Sequence, residues 1–377
     1  MDLPEWAVLF CREHLGALPV ELLHSSEHMS EVLGLRLDDG REVAVKARPD
    51  QEGREGTCVE VQRSLAQQGF PCAAPLTGVT VRKGTAIHAE VWRPGGEMLL
   101  GDDPATAVLF ARLLARLVDL AAEIEIGGTE PGAVPPPLPN PEWVRWDHPG
   151  PGAWPSPHSS SRHRSSRQPP PSQPLSGQSA SLRSPSGQQP PSQPLSGQSA
   201  SLRSPFRQPP ATDPLSGLAP SPHSPHHDQG GGSLPSGLEE AAFRLRERFA
   251  ESRLPRVLGH VDWESQNLRW KGDQPWAVHD WDSLAWLPEA AIAGSACGAF
   301  ASSGQPTLAP IASSAAFLDA YQAGRRPFSE EEIEIGWAAS LWLALHNARA
   351  EVLRDLPPVA LVAVAEQAEE RLRLAGA

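Results

Sequence analysis

At 377 residues with 40 % hydrophobic content, the chain is long enough to bury a sizeable core, and its length alone suggests two or three domains. A formal net charge of −13 argues against nucleic acid as a partner, since like-charged phosphates would be repelled; it is compatible with a cationic small substrate drawn by the protein's field. Four cysteines without paired spacing exclude a disulfide framework. No apolar run reaches the roughly 18 residues that span a bilayer, and Asp2, Glu5 and Trp6 stand where a signal peptide would be basic and apolar, so the reading is a cytoplasmic protein with no membrane partner.

Residues 1–93 read as a small sheet lobe. Between Leu22 and Val32 there is no glycine, and Ser25, Ser26 and Ser30 are the hydroxyl or backbone donors available to a phosphate, with Ser30 the candidate nucleotide contact. Leu33, Leu35 and Leu37 alternate before Asp38-Asp39-Gly40, and Val43 and Val45 alternate after it, which predicts a tight hairpin. Period two then places Val43 and Val45 on one face, with Ala44 and Lys46 on the other. Lys46 stands out because the chain has three lysines against 29 arginines, and the other two, Lys83 and Lys271, sit beside turn glycines. A small Ala44 leaves room for a flat base, and Lys46 offers a flexible point charge to phosphate oxygens. A helix is expected from Arg54 to Gln68, with Glu55 and Glu60 as alternative acidic partners of Lys46. A strand at Ala86 to Trp92 ends at the breaker Pro94-Gly95-Gly96.

Apolar residues at helical spacing from Pro104 to Glu123 predict a core helix. Asn140 to Pro155 interleaves three tryptophans with Glu142 and Asp147, a composition suited to burial under a loop or to holding a cationic group. From about Ser156 to Ser236 the chain is dominated by Pro, Ser, Gln and Gly, and disorder is expected there because too little apolar surface is available to offset chain entropy. PPSQPLSGQSASLRSP occurs twice within it, at Pro170 to Pro185 and Pro190 to Pro205. The segment holds six arginines and two aspartates, so the other 296 residues carry −17. Ser236-Gly237-Leu238-Glu239 matches a capping box and opens a helix to about Ser252, and the C-terminal third reads as wholly helical.

The stretch Gly259 to Asp282, GHVDWESQNLRWKGDQPWAVHDWD, carries the chemistry. Val257-Leu258 leads as a strand into His260-Val261-Asp262; Asn267 precedes the strand Leu268-Arg269-Trp270; Lys271-Gly272-Asp273 turns; and Trp276-Ala277-Val278 delivers Asp280 and Asp282. The hairpin brings the early Asp and Asn towards the late carboxylates. Phosphoryl transfer needs a carboxylate to orient and deprotonate a hydroxyl, oxygen ligands for Mg2+, and a cation against the phosphates. Asp262 suits the first role, Asn267 and Asp280 the second, and Lys46 the third.

On Val43-Ala44-Val45-Lys46, His260-x-Asp262-x4-Asn267 and His279-Asp280-Trp281-Asp282, the chain resembles the aminoglycoside phosphotransferase and choline kinase-like group over most of its length outside the insertion. The resemblance implies an α+β, bilobal protein-kinase-like fold, with a small antiparallel-sheet N-lobe (1–93) and a mostly helical C-lobe (94–155 and 237–377) interrupted by the insertion (156–236). It implies ATP and Mg2+ as cofactors and a small-molecule hydroxyl as substrate. Asp262 would be the base, His260 would brace the loop, Asn267 and Asp280 would ligate Mg2+, Lys46 would contact the nucleotide, and Glu60 lies nearer than Glu55 to the position expected of the helix glutamate. Glu90 to Arg93 would be the interlobe hinge. Two departures stand out: no glycine-rich phosphate loop, and Val261 where the group has glycine, a β-branched residue denied positive φ. Two rival readings are a kinase-like binding module without turnover and an interaction scaffold acting through the insertion.

Overall fold

The computed structural model describes residues 3–27, 30–51, 53–124, 138, 140–141, 144, 236–299, 301–302, 305–306 and 308–377. The chain divides into two units, His163–Gly231 and the remainder, and the architecture below is that of the remainder. The insertion, its repeats and the three tryptophans expected between Asn140 and Pro155 lie outside the described residues.

The smaller lobe is a five-stranded antiparallel sheet of β1 (Pro19–Glu27), β2 (Glu31–Leu37), β3 (Glu42–Pro49), β4 (Thr80–Arg82) and β5 (Thr85–Val91), in the order β1-β2-β3-β5-β4. The alternation read from the sequence sets its two faces. Leu33, Leu35, Leu37, Val43, Val45, Ile87 and Ala89 form one apolar cluster with Ala7 and Phe10 of α1 (Glu5–Phe10). The register puts His24, Gly34, Ala44 and Glu90 in one cross-strand row on the opposite face, and Ser26, Val32, Lys46 and His88 in the next. α2 (Arg54–Gln67) follows, and its Cys58, Val61 and Leu65 join the larger core instead of the sheet's cluster.

The larger lobe holds α3 (Pro104–Ala121), α4 (Ser236–Glu251), α5 (Glu289–Gly298), α6 (Ile311–Gly324), α7 (Glu330–Arg354) and α8 (Val359–Leu374). α4 starts where the sequence expected it, although the Ser236 side chain lies outside the described residues. α7 opens with a capping box in which Ser329 Oγ accepts from Glu332 N–H (3.3 Å) and Glu332 Oε2 accepts from Ser329 N–H (2.8 Å). The C-terminal third is not wholly helical: Ala301–Ser302 and Gln305–Pro306 pair as a short hairpin between α5 and α6, a feature too brief for any periodicity to announce.

Between α4 and α5 lie two nested antiparallel pairs. β6 (Arg256–His260) pairs with β9 (Leu284–Pro288), and inside them β7 (Leu268–Lys271) pairs with β8 (Gln274–Val278). The loops 261–267 and 279–283 therefore begin and end on the same two ladders, which is the local reason for their convergence.

Candidate active site

Two backbone bonds and one from a side chain join the two loops side by side. Val261 N–H donates to Ser283 O (3.0 Å), His279 N–H to Asn267 O (2.9 Å), and His260 Nε2–H to His279 O (3.1 Å). His260 is fully buried against Trp263 and Trp281, and burial holds its pKa down to about 4. A neutral ring donating through Nε2 leaves Nδ1 as an acceptor, and that atom is buried without a partner. His260 thus ties the two loops together and has no access to a substrate. Val261 is also fully buried, and its φ is not positive, so the glycine expected from the resemblance is not needed there. The left-handed residue of the site is Asp280 (φ 62°), a conformation aspartate tolerates because its short side chain bonds locally.

Asn267 Nδ2 donates to both Asp262 Oδ2 (2.8 Å) and Asp262 O (3.0 Å), fixing the carboxylate and reserving the amide oxygen as an acceptor. The Asp280 carboxyl lies within hydrogen-bonding reach of both Asp262 and Asp282. Burial raises Asp262 to about 6, with Asp282 adding to the effect, and burial and Asp282 together drive Asp280 well above the usual range. For Asp282 the burial penalty is outweighed by the Arg48 guanidinium, and its pKa falls. Glu264, buried beside Asp262 and Asp280 with Gln266 donating to it, is raised well above normal. Among the described residues no group of three His, Cys, Asp or Glu side chains is placed to cage a metal. The oxygen-only donor set of Asn267 and Asp280, crowded by neighbouring carboxylates, does fit a hard cation that keeps most of its own water.

Lys46 reaches this cluster from the sheet. Its Nζ lies 2.8 Å from Glu90 Oε1, and Asp280 and Asp282 across the cleft also favour its charged form. Burial works against that charge, but the carboxylates prevail and the pKa is raised. Its acidic partner is therefore neither Glu60 nor Glu55. Glu60 is exposed on α2, and Glu55 lies 3.4 Å from Arg48. Glu90 faces Lys46 because the two are diagonal neighbours on one face of adjacent strands, with Lys46 directly opposite His88. The helix contributes an amide instead: Gln62 Nε2 donates to Glu90 Oε2 and to Ala73 O, both at 2.8 Å.

Ser30 lies half-buried immediately before β2, beyond residues 28 and 29, which are outside the described set. In the expected hinge, Val91 and Trp92 already donate their N–H groups to Ala74 O (2.9 Å) and Glu42 O (3.1 Å), while the Trp92 ring stacks on His24 at 5.6 Å. Glu90, read as the first hinge residue, belongs instead to the ion cluster. Sequence reasoning missed Arg48, Gln62 and the partnership of Glu90. Period two from Lys46 would have placed Arg48 on the same face, but strand pairing, which a single strand does not encode, was needed for Glu90.

No family model matches the chain, and no curated protein sequence matches it. Solved structures do. Amicoumacin kinase hAmiN, bound to AMP-PNP and Ca2+, superposes with a TM-score of 0.54 at 10 % identity, covering 98 % of this chain and 94 % of that one. An aminoglycoside phosphotransferase from Alicyclobacillus acidocaldarius gives 0.51 at 12 % identity, covering 100 % and 95 %. A thermostable variant of aminoglycoside phosphotransferase APH(4)-Ia, in a ternary complex with ADP and hygromycin B, gives 0.51 at 10 % identity, covering 98 % and 99 %. This chain has their kinase-like fold. In that fold the small antiparallel sheet carrying Lys46 and the nested loops carrying Asp262, Asn267 and Asp280 belong to the two lobes.

Proposed function

We propose that the chain is a member of the aminoglycoside phosphotransferase and choline kinase-like group, and that it transfers a phosphoryl group from ATP to a hydroxyl of a small molecule. The observation that carries this reading is the convergence of one half-buried lysine from the sheet with Asp262, Asn267 and Asp280 from the nested loops. Lys46, kept charged by Glu90, steadies the nucleotide phosphates. Asp262, held by two hydrogen bonds from Asn267, orients the acceptor hydroxyl and takes its proton at a carboxylate oxygen. Asn267 Oδ1 and Asp280 would hold Mg2+, which when bound offsets charge on the phosphates. His260 braces the loops. The acidity of the chain outside the insertion favours an acceptor that is itself cationic.

Asp262→Asn keeps the shape of the side chain and one oxygen able to accept from Asn267 while removing the base. Phosphoryl transfer to a panel of amino sugars, amino alcohols and sugars, followed with labelled ATP, should fall by at least about a hundredfold in this variant, with ATP binding retained. Equal turnover in the variant would remove Asp262 from the mechanism. ATP binding with no turnover of any acceptor by the wild type would favour the binding-module reading.

A further inference from the structure

The side chain two residues beyond Lys46 on β3 is Arg48, on the same face of the sheet and only 13 % exposed. It forms an ion pair with Asp282 of the larger lobe and lies 3.4 Å from Glu55 Oε1 on α2. From the first residue of α2, the fully buried Arg54 donates to Asp282 O (2.6 Å) and to Leu284 O. Two guanidinium groups of the smaller lobe thus grip a single turn, Trp281–Ser283, which begins immediately after Asp280.

That turn has reason to need holding. Asp280 sits in the left-handed region, and such a backbone persists only where its surroundings determine it. The carboxyls of Asp282 and Asp262 both bear on its charge. Without a cation on Asp282, its charge would stand uncompensated among the half-buried carboxyl groups of this loop. Lys46 is committed to Glu90 at 2.8 Å, and among the described residues Arg48 is the side chain in direct ion-pair contact with Asp282.

We propose that Arg48 is a positioning residue: through its ion pair with Asp282 it fixes the turn that presents Asp280 to the nucleotide's metal, without touching the nucleotide itself. The role assigned to Asp280 rests on the phosphotransferase reading; the grip on the turn does not.

Two measurements on the full chain separate these layers. The first is hydrogen exchange of the 279–284 segment in ligand-free protein, for wild type, Arg48→Gln, Arg48→Lys, Asp282→Asn and the double variant Arg48→Gln/Asp282→Asn. Each neutralising variant should speed exchange there by about tenfold, Arg48→Lys by less, and the double variant by no more than either single one, because both remove the same contact. The second is Mn2+ binding at fixed ATP, followed by electron paramagnetic resonance. Arg48→Gln and Asp282→Asn should each raise the half-saturating Mn2+ concentration by about tenfold and leave metal-free ATP affinity unchanged. Unchanged exchange in Arg48→Gln, additive effects in the double variant, or weakened metal-free ATP binding in Arg48→Gln would each overturn the proposal. If the wild type binds neither ATP nor Mn2+, the phosphotransferase reading fails while the exchange comparison still decides the grip. Should Arg48→Gln not fold, Arg48→Lys and Asp282→Asn carry the same comparison.

Discussion

His260 and Asp262 are two residues apart, and burial acts on them in opposite senses. It pushes the Asp262 carboxyl up to about 6 and the His260 imidazole down to about 4, in each case by disfavouring the charged form. The histidine side makes a clean stability prediction. Its folded pKa lies below the ordinary value of 6.5, so as the pH falls the unfolded chain takes up the proton first, and the stabilisation present above about pH 6.5 is lost on the way down to about 4. The advantage of the wild type over His260→Gln in urea denaturation should accordingly shrink by on the order of 3 kcal/mol across that window. An advantage that stays constant from pH 7 to pH 4 would mean the ring is not held neutral. Residues of this kind were legible in the sequence where one short segment carried the whole pattern, as in His260-x-Asp262-x4-Asn267. They were not legible where the contact joins distant segments: Glu90 reaches Lys46 through the pairing of β3 with β5, and Arg48 reaches Asp282 across 234 positions. Charge and spacing on β3 alone give no sign of either partner.

The helices of the larger lobe are positioned by close backbone approach. α5 is buried along all ten residues, so it has no polar face by which its orientation could be read from the sequence. What sets its place is small residues at a four-residue interval. A Cβ on Gly294 would stand 2.0 Å from Gly336 O of α7, and one on Gly298 would stand 2.1 Å from Ser340 O. Gly294→Ala must push the two helices apart, and β9, which leads directly into α5, would shift with them. We expect a loss of about 3 kcal/mol in urea denaturation. Gly336→Ala, whose Cβ would meet Ala290 O only at 3.4 Å, is the milder control. Equal small losses in the two variants would show that the α5–α7 contact tolerates an added methyl. The strands were far easier to read than the helices. Alternation in Leu33 to Val45 and the turn at Lys271 to Asp273 marked both hairpins, because period two shows in a few residues. The rotation of α2 did not show: with Glu55, Val59 and Gln62 all buried and Glu60 exposed, the residue it turns towards Glu90 is an amide, and the apolar pattern alone could not separate these faces.

Across the whole molecule, the cleft draws on both lobes while the Pro/Ser/Gln segment, as composition reads it, contributes nothing to the core. His163–Gly231 divides from the rest of the chain as a unit. Loop-closure entropy grows only slowly with length, so replacing these residues by a short Gly/Ser linker should move the melting temperature by no more than about 3 °C and leave activity in place. Loss of activity with the fold intact would turn attention to the scaffold reading of the insertion. The two-lobed fold was legible because its motifs lie within strands or at their ends, where alternation and turn residues mark position. The substrate was not, because selection of an acceptor falls to helices and loops outside those motifs. The measurement that bears most directly on the central claim is the melting temperature with and without saturating ATP and Mg2+, for the wild type and for Asp280→Asn. A ligand that binds only the folded chain must raise it. The rise should be a few degrees, require Mg2+ and be much reduced in Asp280→Asn; no rise at millimolar ATP, or an equal rise in both proteins without Mg2+, would rule out a Mg-nucleotide site built on Asp280.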